Sequence, residues 1–147
     1  MRSAAASLLI LLGACSKEAP MPLDIAQNKQ MIWEMIKAYH DAADKSDLDI
    51  IKTLMTPDVS MVMSPDDVIR GQENVLRALR DRFKSYKGTP STLMGKELIK
   101  PDGNTALVTY VASSTSQHGI ITVICSRNKD NKWLISHVHE TWSPPPK

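Results

Sequence analysis

The residues best suited to chemistry are two histidines, His137 and His139, which are separated by a single valine. The apolar residues around them predict a strand, in which side chains two positions apart share a face and lie about 6.5–7 Å apart along the chain. Such a pair can bind a metal ion, transfer protons in a pocket, or line a cavity as polar groups. We favour the polar lining and keep proton transfer as the alternative.

A zinc site at this pair would need a further protein ligand, because catalytic zinc sites use three. Glu140 points away from both histidines by the alternation of a strand. The remaining candidates are His118, Asp66 and Asp67, none of which has an informative spacing to the pair. The sequence therefore predicts no metal site and no bound cofactor.

Most catalytic motifs are missing from the sequence. It contains no nucleophile elbow, phosphate-binding glycine loop, CxxC, HExxH or dinucleotide fingerprint, which argues against kinase, protease and redox functions. Cys125 lies in an apolar run, and we expect it to be a small buried hydrophobic residue rather than a nucleophile.

The first fourteen residues, 1–14, have the pattern of a secretory signal peptide. One basic residue and an apolar run precede the small residues Gly13 and Ala14. The run is too short to span a bilayer, which needs about 20 apolar residues. Its Leu-Gly-Ala-Cys ending resembles the lipobox of bacterial lipoproteins, so Cys15 is predicted to be the lipidated first residue of the mature protein.

Lipidation of Cys15 would anchor the chain to a membrane. Several acyl chains, each contributing about 0.8 kcal/mol per buried CH₂, hold a protein stably. Ser16 follows the cysteine, where an aspartate would resemble an inner-membrane retention signal, so we expect an outer-membrane protein that faces the periplasm. Residues 15–23 are then a tether, residues 24–142 one domain, and residues 143–147 a proline-rich tail.

The charge is nearly balanced, with 18 Lys and Arg against 16 Asp and Glu in 147 residues. No basic cluster is interleaved with aromatic residues, which argues against nucleic acid as a partner. A length of this order suits a single domain with its own core.

Hydrophobic periodicity predicts three helices, at about 25–45, 48–55 and 72–86, the second ending before Pro57. The third has an apolar face and a face that we expect to be solvated. The residues predicted on that solvated face are Arg77, Arg80, Arg82 and Lys84.

Six strands are predicted, two of them short. Their ranges are 59–63, 68–70, 92–100, 105–116, 119–126 and 132–142. Helices followed by a run of strands indicate an α+β fold, with the helices on the concave side of a curved antiparallel sheet. On the last strand, alternation places Trp133, Ile135 and Thr141 on the face of the two histidines, and Leu134, Val138 and Trp142 on the opposite face.

Three local patterns in this order resemble the nuclear transport factor two-like superfamily of cone-shaped α+β barrels. They are KSDLD at 45–49, MTPDV at 55–59 followed by IRG at 69–71, and KWLISHVH at 132–139. The last is similar to the final strand of the SnoaL-like branch and of the association domain of calcium/calmodulin-dependent protein kinase II. The resemblance covers residues 25–142.

The superfamily contains isomerases, dehydratases, polyketide cyclases, binding modules and oligomerisation domains, so fold alone does not give the function. Ketosteroid isomerase uses a carboxylate base and an oxyanion hole made by a tyrosine and a protonated aspartic acid. By resemblance, Tyr39 lies at the tyrosine position, whereas the base position falls on Met63. The segment 120–126, which would supply the second acid, contains none.

The resemblance implies that the first helix crosses the concave face, so that Tyr39 approaches His137 and His139 inside the cone. These three residues are the candidates for catalysis, although none is assigned a catalytic role. The predicted ligand pocket consists of Trp33, Tyr39, Met63, His137 and His139.

We therefore expect a membrane-anchored lipoprotein that binds a small apolar or amphipathic molecule or a protein partner. It should form a homodimer through its sheet, as members of the superfamily often do. The alternative is an envelope enzyme of the cyclase, dehydratase or isomerase type that uses histidine and tyrosine as acid–base groups.

Overall fold

The computed structural model describes residues 24–64, 67–85, 92–93, 97–114 and 117–143. The predicted signal peptide and tether, with Cys15, lie outside the described residues, as do Asp66 and the last four residues of the tail. Within the described ranges, no helix combines the length and apolar character that crossing a membrane requires.

The described residues form three helices: α1 (Ile25–Asp44), α2 (Leu48–Thr53) and α3 (Gln72–Ser85). Asp24 caps α1 by accepting from the backbone N–H of Ala26 at 3.2 Å. Asp47 caps α2 in the same way, accepting from the N–H of Ile50 at 3.0 Å. Ser46 adopts a left-handed conformation with φ of 55° between the two helices, which produces the predicted corner.

In the part of the chain that the structure describes, seven strands form one sheet. They are β1 (Met55–Ser64), β2 (Asp67–Arg70), β3 (Thr92–Leu93), β4 (Leu98–Asp102), β5 (Thr105–Ser113), β6 (His118–Arg127) and β7 (Trp133–Ser143). Their order across the sheet is β2-β1-β7-β6-β5-β3, and β4 also pairs with β5. The predicted α+β class is confirmed.

Three details differ from the sequence-based prediction. The sheet is mixed, because β1 runs parallel to β7 whereas the other pairs are antiparallel. The predicted strand at 92–100 corresponds to β3 and β4, which makes seven strands instead of about six. β1 also begins at Met55 and includes Pro57, which lies where the register with β7 shifts between Met55 and Ser60, so the missing N–H is tolerated.

The core lies between the concave face of the sheet and the helices. Its fully buried side chains include Ile32 and Ile36 of α1, Leu79 of α3, and Val108 and Val123 at the centre of the sheet. Cys125 is also fully buried, which confirms that it is a core residue. Burial raises the pKa of its thiol to about 12, so it remains protonated at neutral pH.

A β-bulge in β7 determines which side chains enter the cone. Ile124 of β6 pairs with His137, whereas the next residue, Cys125, pairs with Ile135. Ser136 is therefore an extra residue in β7, and the alternation of faces restarts after it.

Candidate functional site

Polar side chains meet at one level of the concave face. Glu140 of β7 pairs with Ile121 of β6, which pairs with Tyr110 of β5, so the three residues form one row across the sheet. Tyr110 and Ile121 are buried, and only 8% of the Glu140 side chain is exposed. This row therefore places a carboxylate and a phenol inside the cone.

Helix α1 adds two aromatic side chains to this level, Tyr39 and His40, both of which are buried. His40 Nε2 is hydrogen-bonded to the Tyr110 hydroxyl at 2.7 Å. The ring of Tyr39 meets that of His40 edge-on, with centroids 5.6 Å apart. The histidine is thus held between two tyrosines.

Arg82 of α3 pairs with Glu140 from the opposite side. Its Nη1 donates to Oε2 of Glu140 at 2.6 Å, and Trp142 Nε1 donates to the same oxygen at 2.9 Å. The guanidinium carbon of Arg82 lies 6.0 Å from the centre of the Trp142 ring, within the range of a cation–π contact. Two donors therefore compensate the charge of this buried carboxylate.

The environment fixes the protonation states of the aromatic groups. Burial, together with the negative charge of Glu140, raises the pKa of Tyr39 far above its usual value. Burial also raises the pKa of Tyr110 and lowers that of His40, although Glu140 opposes the shift at the histidine. At neutral pH both phenols are therefore protonated and the imidazole is uncharged.

The hydroxyl of Tyr39 makes no hydrogen bond to the residues that the structure describes. The side chain is nevertheless only 4% exposed. The hydroxyl oxygen itself keeps some accessible surface, because among the described residues the fully buried side-chain polar atom without a partner is Thr56 Oγ1. The Tyr39 hydroxyl is therefore the group of this cluster that could form a hydrogen bond to a ligand.

The structure places His137 and His139 outside the cone, contrary to the expectation that they approach Tyr39. Val138 between them is fully buried, so its two neighbours point to the convex face. There His137 Nδ1 is hydrogen-bonded to Ser60 Oγ at 2.8 Å. Partial burial and the neighbouring His139 lower the pKa of His137.

The predicted facing of the other β7 residues was wrong for the same reason. Trp133 and Ile135 lie on the concave side, not with the histidines, because the extra residue at Ser136 separates the two halves of the strand. Trp133 is buried and donates from Nε1 to Asn28 Oδ1 of α1 at 3.2 Å. Val138 and Trp142 do face the cone, and Glu140, which lies between them at alternating positions of the strand, faces it as well.

The other predicted lining residues lie beside the polar cluster. The rings of Trp33 and Tyr110 meet at 74° with centroids 5.7 Å apart. Met63 Sδ lies 3.8 Å from Nη1 of Arg82. The structure thus brings Trp33, Tyr39 and Met63 to one side of the sheet.

Four residues of the cluster were not predicted: His40, Arg82, Tyr110 and Glu140. His40 follows Ile36 by four positions and Arg82 follows Leu79 by three, so helical spacing already placed both near the buried face. The expectation that Arg82 is solvated was therefore wrong. Tyr110 alternates with the buried Val108 and Ala112 of β5, which was also readable from the sequence.

Metal binding and a separate surface pocket are the other possible sources of chemistry. No group of three or more His, Cys, Asp or Glu side chains that could hold a metal ion occurs among the described residues. A surface pocket of about 210 Å³ is lined by Ser46, Leu48, Arg80, Phe83 and Lys84. It shares no lining residue with the polar cluster, which remains the best candidate site.

The family model of the SnoaL-like domain matches residues 32–145 of the chain. Comparison with curated proteins gives no match.

Several solved structures have a similar fold, including two that are described as nuclear transport factor two-like proteins. A protein from Salmonella enterica shares 24% identity and a TM-score of 0.66, over 83% of this chain and 94% of that one. A candidate dehydratase from Streptomyces avermitilis is 18% identical with a TM-score of 0.68, and the match covers 83% of this chain and 99% of that one. An uncharacterised protein with a cystatin-like fold from Caulobacter vibrioides shares 18% identity and a TM-score of 0.73, over 81% and 92%. At these identities the similarity establishes the fold.

Proposed function

This chain belongs to the SnoaL-like domain family, and from that premise we propose that its cone binds a small amphipathic molecule without transforming it. The observation that carries the proposal is the contrast between matched charges and one unmatched donor. Glu140 and Arg82 neutralise each other at 2.6 Å, whereas the hydroxyl of Tyr39, on a residue that is only 4% exposed, makes no hydrogen bond to the described residues.

The expected ligand has an apolar body and one oxygen acceptor. The Tyr39 hydroxyl stays protonated, because burial and the Glu140 carboxylate both raise its pKa, so it can donate a hydrogen bond to an oxygen acceptor of the ligand. Trp33 and Met63 supply aromatic and thioether surface nearby. Ligand pockets of this type combine an apolar lining with a few polar groups that fix orientation.

Catalysis is disfavoured by the state of the only carboxylate identified in the cluster. Glu140 accepts from both Arg82 and Trp142 through the same oxygen, Oε2. Taking a proton from a substrate would break the charge balance of a buried ion pair, which is costly. The position that carries the base in ketosteroid isomerase is occupied by Met63, which cannot accept a proton.

A second candidate function rests on His40. It is uncharged, lies 2.7 Å from the Tyr110 hydroxyl and packs against Tyr39, so the three could act together in a dehydration or isomerisation. In that case His40 replaces His137 and His139 as the acid–base group of the enzyme alternative. One of the similar folds is a candidate dehydratase.

We further propose that the domain is held at a membrane through a lipid on Cys15 and faces the periplasm. The support is the apolar run and the small residues before this cysteine. Replacing Cys15 with serine should move the protein out of the detergent-extracted membrane fraction and abolish the mass of the acyl chains. Identical fractionation of both forms, with an unmodified cysteine in the parent, would contradict the proposal.

The convex face of the sheet supports the proposal of a homodimer. Four aliphatic side chains on strands β4, β5 and β6 are between 41% and 58% exposed; they are Leu98, Leu107, Ile120 and Ile124. Monomers rarely expose apolar patches larger than a few hundred Å². A second copy of the chain, packed sheet to sheet, would cover this surface.

Ligand binding is tested with a form of the protein that begins at Ser16 and is purified without detergent. Small molecules extracted from this protein are then identified by mass spectrometry. We expect one small amphipathic species, and conversion of added candidates should not occur. Turnover of an added substrate that is lost in a His40→Gln variant would instead support the enzyme.

A further inference from the structure

The convex face carries a pair of histidines that the proposed ligand site does not use. His137 and His139 both point outward, because the fully buried Val138 between them points into the core. Residues two apart on a strand have Cα atoms about 6.5–7 Å apart. Two imidazoles with this spacing can reach one ion, since Zn–N bonds are about 2.0–2.1 Å long.

The ring of His137 already has an orienting partner. Its Nδ1 lies 2.8 Å from Ser60 Oγ on the neighbouring strand β1. When Nδ1–H donates to this oxygen, Nε2 carries the lone pair and is available to a metal. Metal-binding histidines almost always have such a partner at the second ring nitrogen.

The neighbours of the pair in the sheet carry no charge. His137 lies between Ser60 and Ile124, and His139 lies between Val62 and Thr122. In the His137 row, the charged residues stand further out: Arg70 pairs with Ser60 on one side, and Lys100 pairs with Leu107 on the other. The pair therefore sits in an uncharged area in the middle of the face.

A second copy of the chain is the natural source of further ligands. The exposed aliphatic residues of β4, β5 and β6 adjoin the pair, and β7 has two strands of the sheet order on one side and three on the other. A twofold contact between convex faces is self-complementary, so residues near the middle of the face meet their own counterparts. The histidine pair of the partner copy would then face that of the first.

We propose that His137 and His139 chelate a divalent transition metal ion of the Zn²⁺ class, and that the same two residues of a second copy complete the site. Four imidazoles suit the tetrahedral coordination of zinc. The site is independent of the Tyr39 cluster, which lies on the other face of the sheet. Zinc would act as a link between two domains and take no part in binding the ligand inside the cone.

The test uses a form of the protein that begins at Ser16. Bound metal is removed with EDTA, and the protein is then titrated with Zn²⁺ alone. Calorimetry should give one ion for two chains, and sedimentation velocity should show at least tenfold tighter dimerisation with zinc than with EDTA. His139→Gln, at an exposed position, should remove both effects. His118→Gln at the start of β6 is the matched control and should keep them.

Three results would overturn the inference: no zinc binding, one ion per chain with unchanged assembly, or equal binding by the His139→Gln variant and the parent. Ligand capture measured in EDTA reports on the cone separately. Loss of zinc binding with normal ligand capture therefore rejects only the metal site. Normal zinc binding with no captured ligand rejects only the proposed function.

Discussion

His40 Nε2 lies 2.7 Å from the hydroxyl oxygen of Tyr110, although 70 positions separate the two residues in the chain. One comes from the last third of helix α1 and the other from the centre of strand β5, so the bond fixes the helix to the sheet at the level of the candidate site. The pair is buried, and its ring centroids are 5.4 Å apart. Its protonation state should therefore be linked to folding.

The first prediction concerns pH. Burial lowers the pKa of His40 below its ordinary value of 6.5 in the folded protein. On acidification, His40 therefore takes up a proton in the unfolded chain at a higher pH than in the folded chain. The contribution of His40 to stability is fully present above pH 6.5. It is lost as the pH falls from 6.5 toward the lower pKa of His40 in the folded state. The slope should reach at most about 1.4 kcal/mol per pH unit for one proton.

Urea unfolding between about pH 5 and 6.5, where most carboxylates are still charged, measures this slope. A His40→Gln variant removes one titrating group and should give a shallower dependence, whereas the contribution of His137, whose pKa is also lowered, remains in both proteins. Equal slopes for variant and parent would show that His40 is not the group responsible.

The second prediction concerns the ion pair. Glu140→Gln leaves the guanidinium of Arg82 without its carboxylate and should destabilise the fold by about 1–3 kcal/mol. The lower end is expected, because the Arg82 side chain is 31% exposed and water screens its charge. A double-mutant cycle with Arg82→Gln should show coupling, and strictly additive losses would mean that the pair does not interact in solution.

The third prediction concerns Gly119. A Cβ atom at this position would lie 2.7 Å from the ring of Trp142, which rests directly on the glycine. Gly119→Ala should therefore displace the indole from Glu140 and cost about 1–3 kcal/mol by overpacking. The shift should be visible in tryptophan fluorescence.

Trp142→Leu provides the control for this clash, since the shorter side chain makes room for the new methyl group. The alanine should cost much less in that background than in the parent. The same cost in both backgrounds would place the effect in the strand backbone instead.

Much of the fold was predictable because local signals agreed with it. Asp24 and Asp47 mark the starts of two helices as expected, and the inward spacing of α1 already placed Tyr39 on the buried face. The parallel pairing of β1 with β7 was not predictable, because it joins segments far apart in the sequence and leaves no local trace. Hydrophobic patterns report burial, not the neighbour that provides it.

The site was missed mainly because of one residue. Ser136 is the extra residue of a bulge, and a single inserted residue moves every later side chain of a strand to the other face. Simple alternation therefore assigned His137 and His139 to the face of Trp133. Alternation correctly placed Glu140 on the face opposite the histidines. That face, and not the face of the histidines, is the concave one that lines the cone.

The central claim is that the Tyr39 hydroxyl is the donor that holds a ligand inside the cone. The most direct measurement compares ligand capture by the parent and by Tyr39→Phe, using the species recovered from the parent and native mass spectrometry. Capture should fall at least about tenfold, as expected for loss of one buried hydrogen bond of about 1.4 kcal/mol. The melting temperature should change little, and His139→Gln on the convex face should capture as the parent does. Unchanged capture by Tyr39→Phe, or equal losses in both variants, would contradict the claim.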